Sequence, residues 1–171
     1  MTCRHSFPLV RLALIALFAL SLAGCARDIP ATHARPNYDA WPLGDLPTNP
    51  LHWKVITSSI NPADSTMSTL YGNDVAVQSA RTSPRTGYPP GAILSLVTWT
   101  QQEDPRWFGA KIPFHVKSVE FVFVNAGDTG KPAYSYQSFD GSPLRKSSEE
   151  ASPTPRPRAQ SLLTHRAAVL P

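Results

Sequence analysis

Cysteine is almost missing from this chain of 171 residues: it has two, Cys3 and Cys25, and none follows. From Ala26 onward there is accordingly no disulfide, no thiol nucleophile, no thiolate metal ligand and no Cys-X-X-Cys-His for attaching a haem. Histidine is thin as well. His52, His115 and His165 are widely spaced, with no two at helical i,i+4 separation, so no metal site is expected. No Gly-X-Ser-X-Gly elbow supports a hydrolase triad. The chain also lacks a long hydrophobic run. Leu12 to Ala23 spans twelve residues, about 18 Å as helix, against a bilayer core of about 30 Å. Finally, there is no stripe of lysine and arginine. The net charge is +4 and the pI about 9.3, but the basic residues are scattered, so no nucleic-acid partner is predicted.

What is present at the N-terminus reads as an export signal. Arg4 and Arg11 precede the short apolar run, which is rich in leucine and alanine with one serine. Leu22-Ala23-Gly24-Cys25 then resembles the lipobox of bacterial lipoproteins. That resemblance implies cleavage after residue 24 and acylation of Cys25 by a thioether-linked diacylglycerol and an amide-linked chain such as palmitate. Each buried methylene contributes about 0.8 kcal/mol, so several chains hold where one would not. Ala26 rather than an aspartate follows the cysteine, a pattern that resembles lipoproteins sorted to the periplasmic face of the outer membrane. Without Arg4 and Arg11 the balance falls to fourteen basic against twelve acidic residues, close to neutral.

Residues 25–51 form the anchor and a tether, with five prolines and no periodicity. Trp41 is its one large apolar group, either docked on the domain or exposed near the lipid interface. The folded domain is expected over 52–171. Trp53 to Ser58 alternates as a short strand, broken by Asn61-Pro62. Ser65 to Tyr71 is rich in Ser and Thr and reads as strand rather than helix, because Gly72-Asn73 interrupts it. Asn73 or Asp74 then caps a helix over Val75–Arg81. Tyr88-Pro89-Pro90-Gly91 is a turn. Ala92 to Thr100 carries bulky groups on both faces, as a central strand does. Lys117 to Val124 alternates most clearly, and a Gly-rich turn links it to Ala133–Phe139 as a hairpin. Residues 140–158 read as a low-complexity loop, and Arg158 to Val169 as a last short helix.

Leu70-Tyr71-Gly72-Asn73-Asp74-Val75-Ala76, the turn Tyr88–Ala92, the strand ending in Trp99, Asp104-Pro105-Arg106-Trp107-Phe108-Gly109 and Ser118-Val119-Glu120-Phe121 occur in that order. Together they resemble the cytochrome P-460 domain family from Trp53 to Phe139, with the terminal Leu162 to Leu170 as a further stretch of likeness. The resemblance implies an α+β fold: a small, mainly antiparallel β-sheet domain with a few short helices, exported and commonly a homodimer. It also implies, for haem-bearing members, hydroxylamine oxidation at a c-type haem cross-linked to a lysine, and nitric oxide binding in related proteins. This chain departs from that pattern. The Cys-X-X-Cys-His has no counterpart, and the Pro-rich stretch Ser147–Arg158 lies where it would be expected. No lysine occurs between Lys54 and Lys111 to form the cross-link, and His165 follows Leu162-Leu163-Thr164 rather than a cysteine pair. Covalent haem is excluded and nothing in the residues supports a non-covalent one.

The remaining candidates have plain readings beside sharper ones. Glu103-Asp104 suits a solvated, turn-capping pair better than a catalytic one. Trp99, Trp107, Phe108 and Phe121 are most simply core, with a ligand pocket lined by the same residues as the alternative. Glu120 is the best single polar candidate, resembling the family's acid near the haem site. The sequence predicts a lipid-anchored envelope protein whose haem-less domain binds a small apolar or nitrogenous ligand, or an envelope protein, at the membrane surface. An oxidoreductase with non-covalent haem and a purely structural lipoprotein are the alternatives. Replacing Cys25→Ser is expected to abolish metabolic lipid labelling and release the protein from the membrane fraction; unchanged retention would sink the anchor.

Overall fold

The longest strand explains why the chain folds as it does. In KIPFHVKSVEFVFVN, Val119 and Phe121 point one way, and Glu120, Val122 and Val124 the other. Both sets are buried, so this strand needs a cover on each face. The computed structural model of the chain describes residues 37–82, 87–127, 132–147 and 155–168. Within it, six antiparallel strands lie in sequence order: β1 (Lys54–Asn61), β2 (Thr66–Gly72), β3 (Ile93–Glu103), β4 (Lys111–Asn125), β5 (Ala133–Asp140) and β6 (Arg145–Lys146). Helix α1 (Asp74–Thr82) follows β2, and α2 (Pro155–Leu163) follows β6. The expected α+β domain with a mainly antiparallel sheet and short helices is what forms.

One face of the sheet is covered by the helices. Leu70, Leu94, Leu96, Val122 and Val124 meet Ala76 and Val77 of α1 and Ala159 and Leu162 of α2. Asn73 sets the position of α1. Its Oδ1 accepts from the amide of Ala76, an N-cap bond, and from the amide of Ile93, while its Nδ2 donates to the carbonyl of Gly91. One side chain thereby ties the helix start to the start of β3. Gly72 sits where α1 crosses the sheet; a Cβ there would lie 2.7 Å from Ile56 Cδ1 and 2.9 Å from the Cβ of Ala76. In β1 a register shift between Val55 and Thr57 breaks simple alternation, leaving Val55 exposed and Ile56 buried.

The other face is covered by chain that the sequence assigns to the tether. Residues 37–53 contain two 3-10 turns, Tyr38–Ala40 and Pro50–His52, and lie against the sheet. Ala40, Leu46, Leu51 and Trp53 pack on Val97, Trp99, Val119, Phe121, Phe139 and Leu144. Phe121 is the hub, edge-on to Trp53 at 6.3 Å and to Phe139 at 5.8 Å between ring centroids. The Trp99 indole N–H donates to the carbonyl of Ala40, and a parallel bridge joins Gly44 to Leu144. The packed region thus begins by Asn37 rather than His52. Scattered prolines hide this strap in the sequence, because it docks through single residues instead of a periodic face.

Two further boundaries move. Within 140–158, β6 and the first turn of α2 are ordered elements, and α2 runs over Pro155–Leu163 rather than 158–169. Residues 148–154 lie outside the described ones, as does Cys25. Trp107 and Phe108 are not core. Beyond Thr100, which is the last β3 residue paired with β2, β3 and β4 continue as a two-stranded ribbon through Glu103 and Lys111, and its tip carries both aromatics into solvent. Among the described residues no layer of the fold covers them.

The strap should depend on Gly44, since a Cβ there would lie 2.2 Å from the carbonyl oxygen of Leu144. Gly44→Ala is expected to cost about 1–3 kcal/mol in urea denaturation and to speed limited proteolysis within 37–53. Wild-type stability and cleavage rate would show that the strap does not hold the sheet.

Candidate functional site

The helix face of the sheet changes character along its length. Its first half is aliphatic and lies beneath α1 and α2. Further along, the inward positions become hydroxyls, and cross-strand register lines them up. Ser59 pairs with Ser68, Ser68 with Thr98 and Thr98 with Ser118, forming one row across β1, β2, β3 and β4. Ser68 Oγ and Thr98 Oγ1 are 3.0 Å apart. The next row toward the helices pairs Leu96 with Glu120. Here α2 stops short of the sheet's end, and an open pocket of about 400 Å³ remains over the hydroxyl row. Asp64, Lys117, Arg158 and His165 stand around it, with Leu96 and Leu162 as its apolar wall.

Glu120 is buried at the inner edge of this pocket and fully engaged. Its Oε2 accepts from Arg158 Nε at 2.7 Å and from the Tyr136 hydroxyl at 2.7 Å; its Oε1 accepts from Arg158 Nη2 at 2.8 Å. The fork of Arg158 fits the carboxylate bidentately, the geometry in which such pairs are strongest. Burial, then the hydrogen bond to Glu120, pushes the Tyr136 phenol up to about 12. The Glu120 carboxylate beside Arg158 raises the guanidinium in turn. Both groups keep their ordinary neutral-pH charge states, and three hydrogen bonds from Arg158 and Tyr136 occupy most of the acceptor capacity of Glu120. This carboxylate positions α2 and presents the outer guanidinium edge to the pocket; it is not arranged as a general base.

C-terminal to α2 the chain is pinned back over the sheet. The Tyr88 hydroxyl donates to the carbonyl of His165 at 2.8 Å, and the amide of Ala168 to the carbonyl of Ile56 at 2.9 Å. Burial raises the Tyr88 phenol to about 12. His165 is thereby held at the pocket rim, its Nδ1 2.9 Å from the carbonyl of Ser161.

Of the five residues offered by the sequence as a possible pocket, Glu120 alone lines this one; His165, discounted there as a haem ligand, stands at its rim. Trp99 and Phe121 are buried on the opposite face beneath the strap, because neighbours in a strand point to opposite sides. Trp107 and Phe108 lie at the ribbon tip, so the five do not converge. Glu103 and Asp104 are tip residues paired with Lys111 and Arg106. Hydrogen bonds from Arg106, including its amide at 2.8 Å, hold Asp104 below the usual carboxylate range and cap the turn at Pro105. Among the described residues no cluster of three His, Cys, Asp or Glu forms a metal site, and no helix is long and apolar enough to cross a membrane. The hydroxyl row and Arg158 were not visible as a site in the sequence. The i,i+2 pairs Thr66/Ser68 and Thr98/Thr100 carried a trace of it, but only strand register joins them.

Removing Arg158 leaves Glu120 buried with one partner. Arg158→Ala is expected to cost roughly 2 kcal/mol, reduced from the fully buried case because the arginine is half-exposed. In a Glu120→Leu background the same change should cost much less, giving a coupling of about 1–2 kcal/mol in denaturant titrations. Simple additivity would show that the pair does not hold α2.

Comparison with known proteins adds the lineage. The chain matches no curated protein. The family model described as Cytochrome P460 matches residues 47–155, which takes in the latter part of the strap, all six strands, α1 and the approach to α2. On that match, over more than half its length, the chain belongs to the cytochrome P460 family.

Proposed function

We propose that this protein is a binding module of the cytochrome P460 family that holds a small polar molecule in the pocket over the hydroxyl row, and that it does so without haem. The row itself carries this reading. Ser59, Ser68, Thr98 and Ser118 turn hydroxyls, which both donate and accept, toward a concavity of about 400 Å³, a volume within the range of small-ligand sites. Beside it stand a cation already balanced by Glu120 and the further charges of Lys117 and Asp64. Such a lining rewards a hydrogen-bonding ligand over the apolar one that the sequence also allowed.

The same chemistry argues against a porphyrin. A haem needs broad apolar walls and an axial donor. The lining has two aliphatic residues, and no cysteine follows Cys25 to fix the ring. His165, the one imidazole at the rim, has Nδ1 at the carbonyl of Ser161 and faces a lining of hydroxyls and charges. On this reading the pocket therefore has a binding role rather than a redox one. Anchoring through Cys25, supported by the Leu-Ala-Gly-Cys stretch, would hold the pocket at the envelope membrane, with Ala26 favouring the periplasmic face of the outer membrane.

The test is a thermal-shift panel on the full chain in detergent, covering small amines, carboxylates, polyols and haemin. A polar ligand at 100 times its Kd should stabilise by about 2.7 kcal/mol. Thr98→Val together with Ser118→Val should remove that shift while leaving the unliganded melting temperature near wild type. Haemin should give no stoichiometric Soret band. A Soret band lost on His165→Ala would overturn this reading, and so would a panel with no polar ligand that depends on the hydroxyl row.

A further inference from the structure

Eight large apolar side chains are exposed among the described residues, and six of them gather at one end of the sheet. The row Ile60–Met67–Trp99–Val116 marks where β1 to β4 reach that end. Tyr38, Trp41 and Leu43 of the strap lie there, beside His115 and Leu144. Past the row projects the β3–β4 ribbon, with Trp107 70% exposed and Phe108 fully so. The tip is closed by its own backbone hydrogen bonds. Asp104 N–H donates to the carbonyl of Ala110, Ala110 N–H to that of Trp107, and Gly109 takes a positive φ of 78° with open space around it.

The chain enters the domain at this same end. Asn37 Nδ2 donates to the carbonyl of Pro113 at 2.7 Å, and Pro113 pairs with Gln101 at the base of the ribbon. Cys25 precedes Asn37 by twelve residues, which span at most about 43 Å when fully extended. A lipid on Cys25 would therefore hold the ribbon base within that distance of the bilayer.

We propose that the Trp107–Phe108 tip is a second membrane contact, seating in the interfacial layer of the bilayer to which Cys25 is attached; this rests on the anchor reading above. Tryptophan favours that layer because its ring is apolar and its N–H can remain hydrated. Tethering makes the contact intramolecular, at effective concentrations in the millimolar range, so a weak affinity suffices. Charge does not contribute. Arg106 with Asp104 and Lys111 with Glu103 cancel at the tip, so docking needs no anionic lipid. A second copy of the chain is a poorer occupant. Two aromatics supply on the order of 300–500 Å², short of the roughly 800 Å² per partner in a stable interface. The contact would also orient the domain, keeping the β1–β2 turn and the neighbouring pocket mouth near the membrane surface.

The experiment uses the full acylated chain in phosphatidylcholine vesicles carrying a shallow brominated lipid, with tryptophan emission as the readout. Quenching is expected in the wild type, and the double variant Trp107→Ser/Phe108→Ser should lose most of it at unchanged melting temperature. Raising salt or adding anionic lipid should change little. The Cys25→Ser chain should need about millimolar lipid for the same quenching. If lipid labelling at Cys25 is intact but the tip variant quenches like wild type, the tip contact fails and the anchor stands. If labelling is absent but the chain is quenched at high lipid through Trp107, the anchor fails and the tip contact stands. A tip-dependent change in sedimentation without vesicles would identify a second copy as the occupant and overturn the proposal.

Discussion

Two-sided burial of β3 and β4 is the constraint on which everything else depends. Val97, Trp99, Val119 and Phe121 must be covered on one face, and Leu94, Leu96, Val122 and Val124 on the other. Leaving either set in water would forfeit roughly 25 cal/mol for each Å² of apolar area. The helices serve one face and the 37–53 strap serves the other. A six-stranded sheet of this kind needs both, so the strap is structural chain and not spare length before a domain.

The functional features lie where those covers end. On the helix face α2 stops beyond Leu162, and the sheet positions further along are hydroxyls instead of aliphatics. Glu120 marks the border. It cannot remain buried unpaired, and Arg158 reaches it bidentately from α2, with Tyr136 from β5 completing its acceptors. That junction fixes the helix, seals the aliphatic half and leaves the polar half open. On the strap face the described cover starts at Asn37, and the β3–β4 ribbon reaches beyond the described strap residues with two aromatics exposed. Among the described residues an open pocket and an exposed tip thus share one cause, a sheet longer than the segments packed on it.

Much of the architecture was legible from local pattern. Strong alternation in Lys117–Val124, the Asn73 cap and the Tyr88–Gly91 turn each have a mechanism confined to a few neighbouring residues, and each forms as expected. The misreadings share a different cause. Trp107 and Phe108 resemble core residues by composition, yet they sit on a hairpin overhang whose length depends on where neighbouring strands stop. The strap resembles a linker because its docking residues have no period. Of the site, only Glu120 was legible; Arg158, thirty-eight residues away, reads as part of a low-complexity loop.

What the sequence by itself determined are properties that need no partner residue: no cysteine beyond Cys25, no long apolar span, period-two strands and a capped helix. The family, too, was legible in the order of its short motifs. Only the tertiary structure decided which residues meet. Alternation fixes that Glu120 and Phe121 part company across the sheet, but not which helix covers which face, which hydroxyls register as one row, or which aromatics are left without a cover. Those outcomes follow from strand register and the lengths of the covering layers, and both arise only when distant segments pack together.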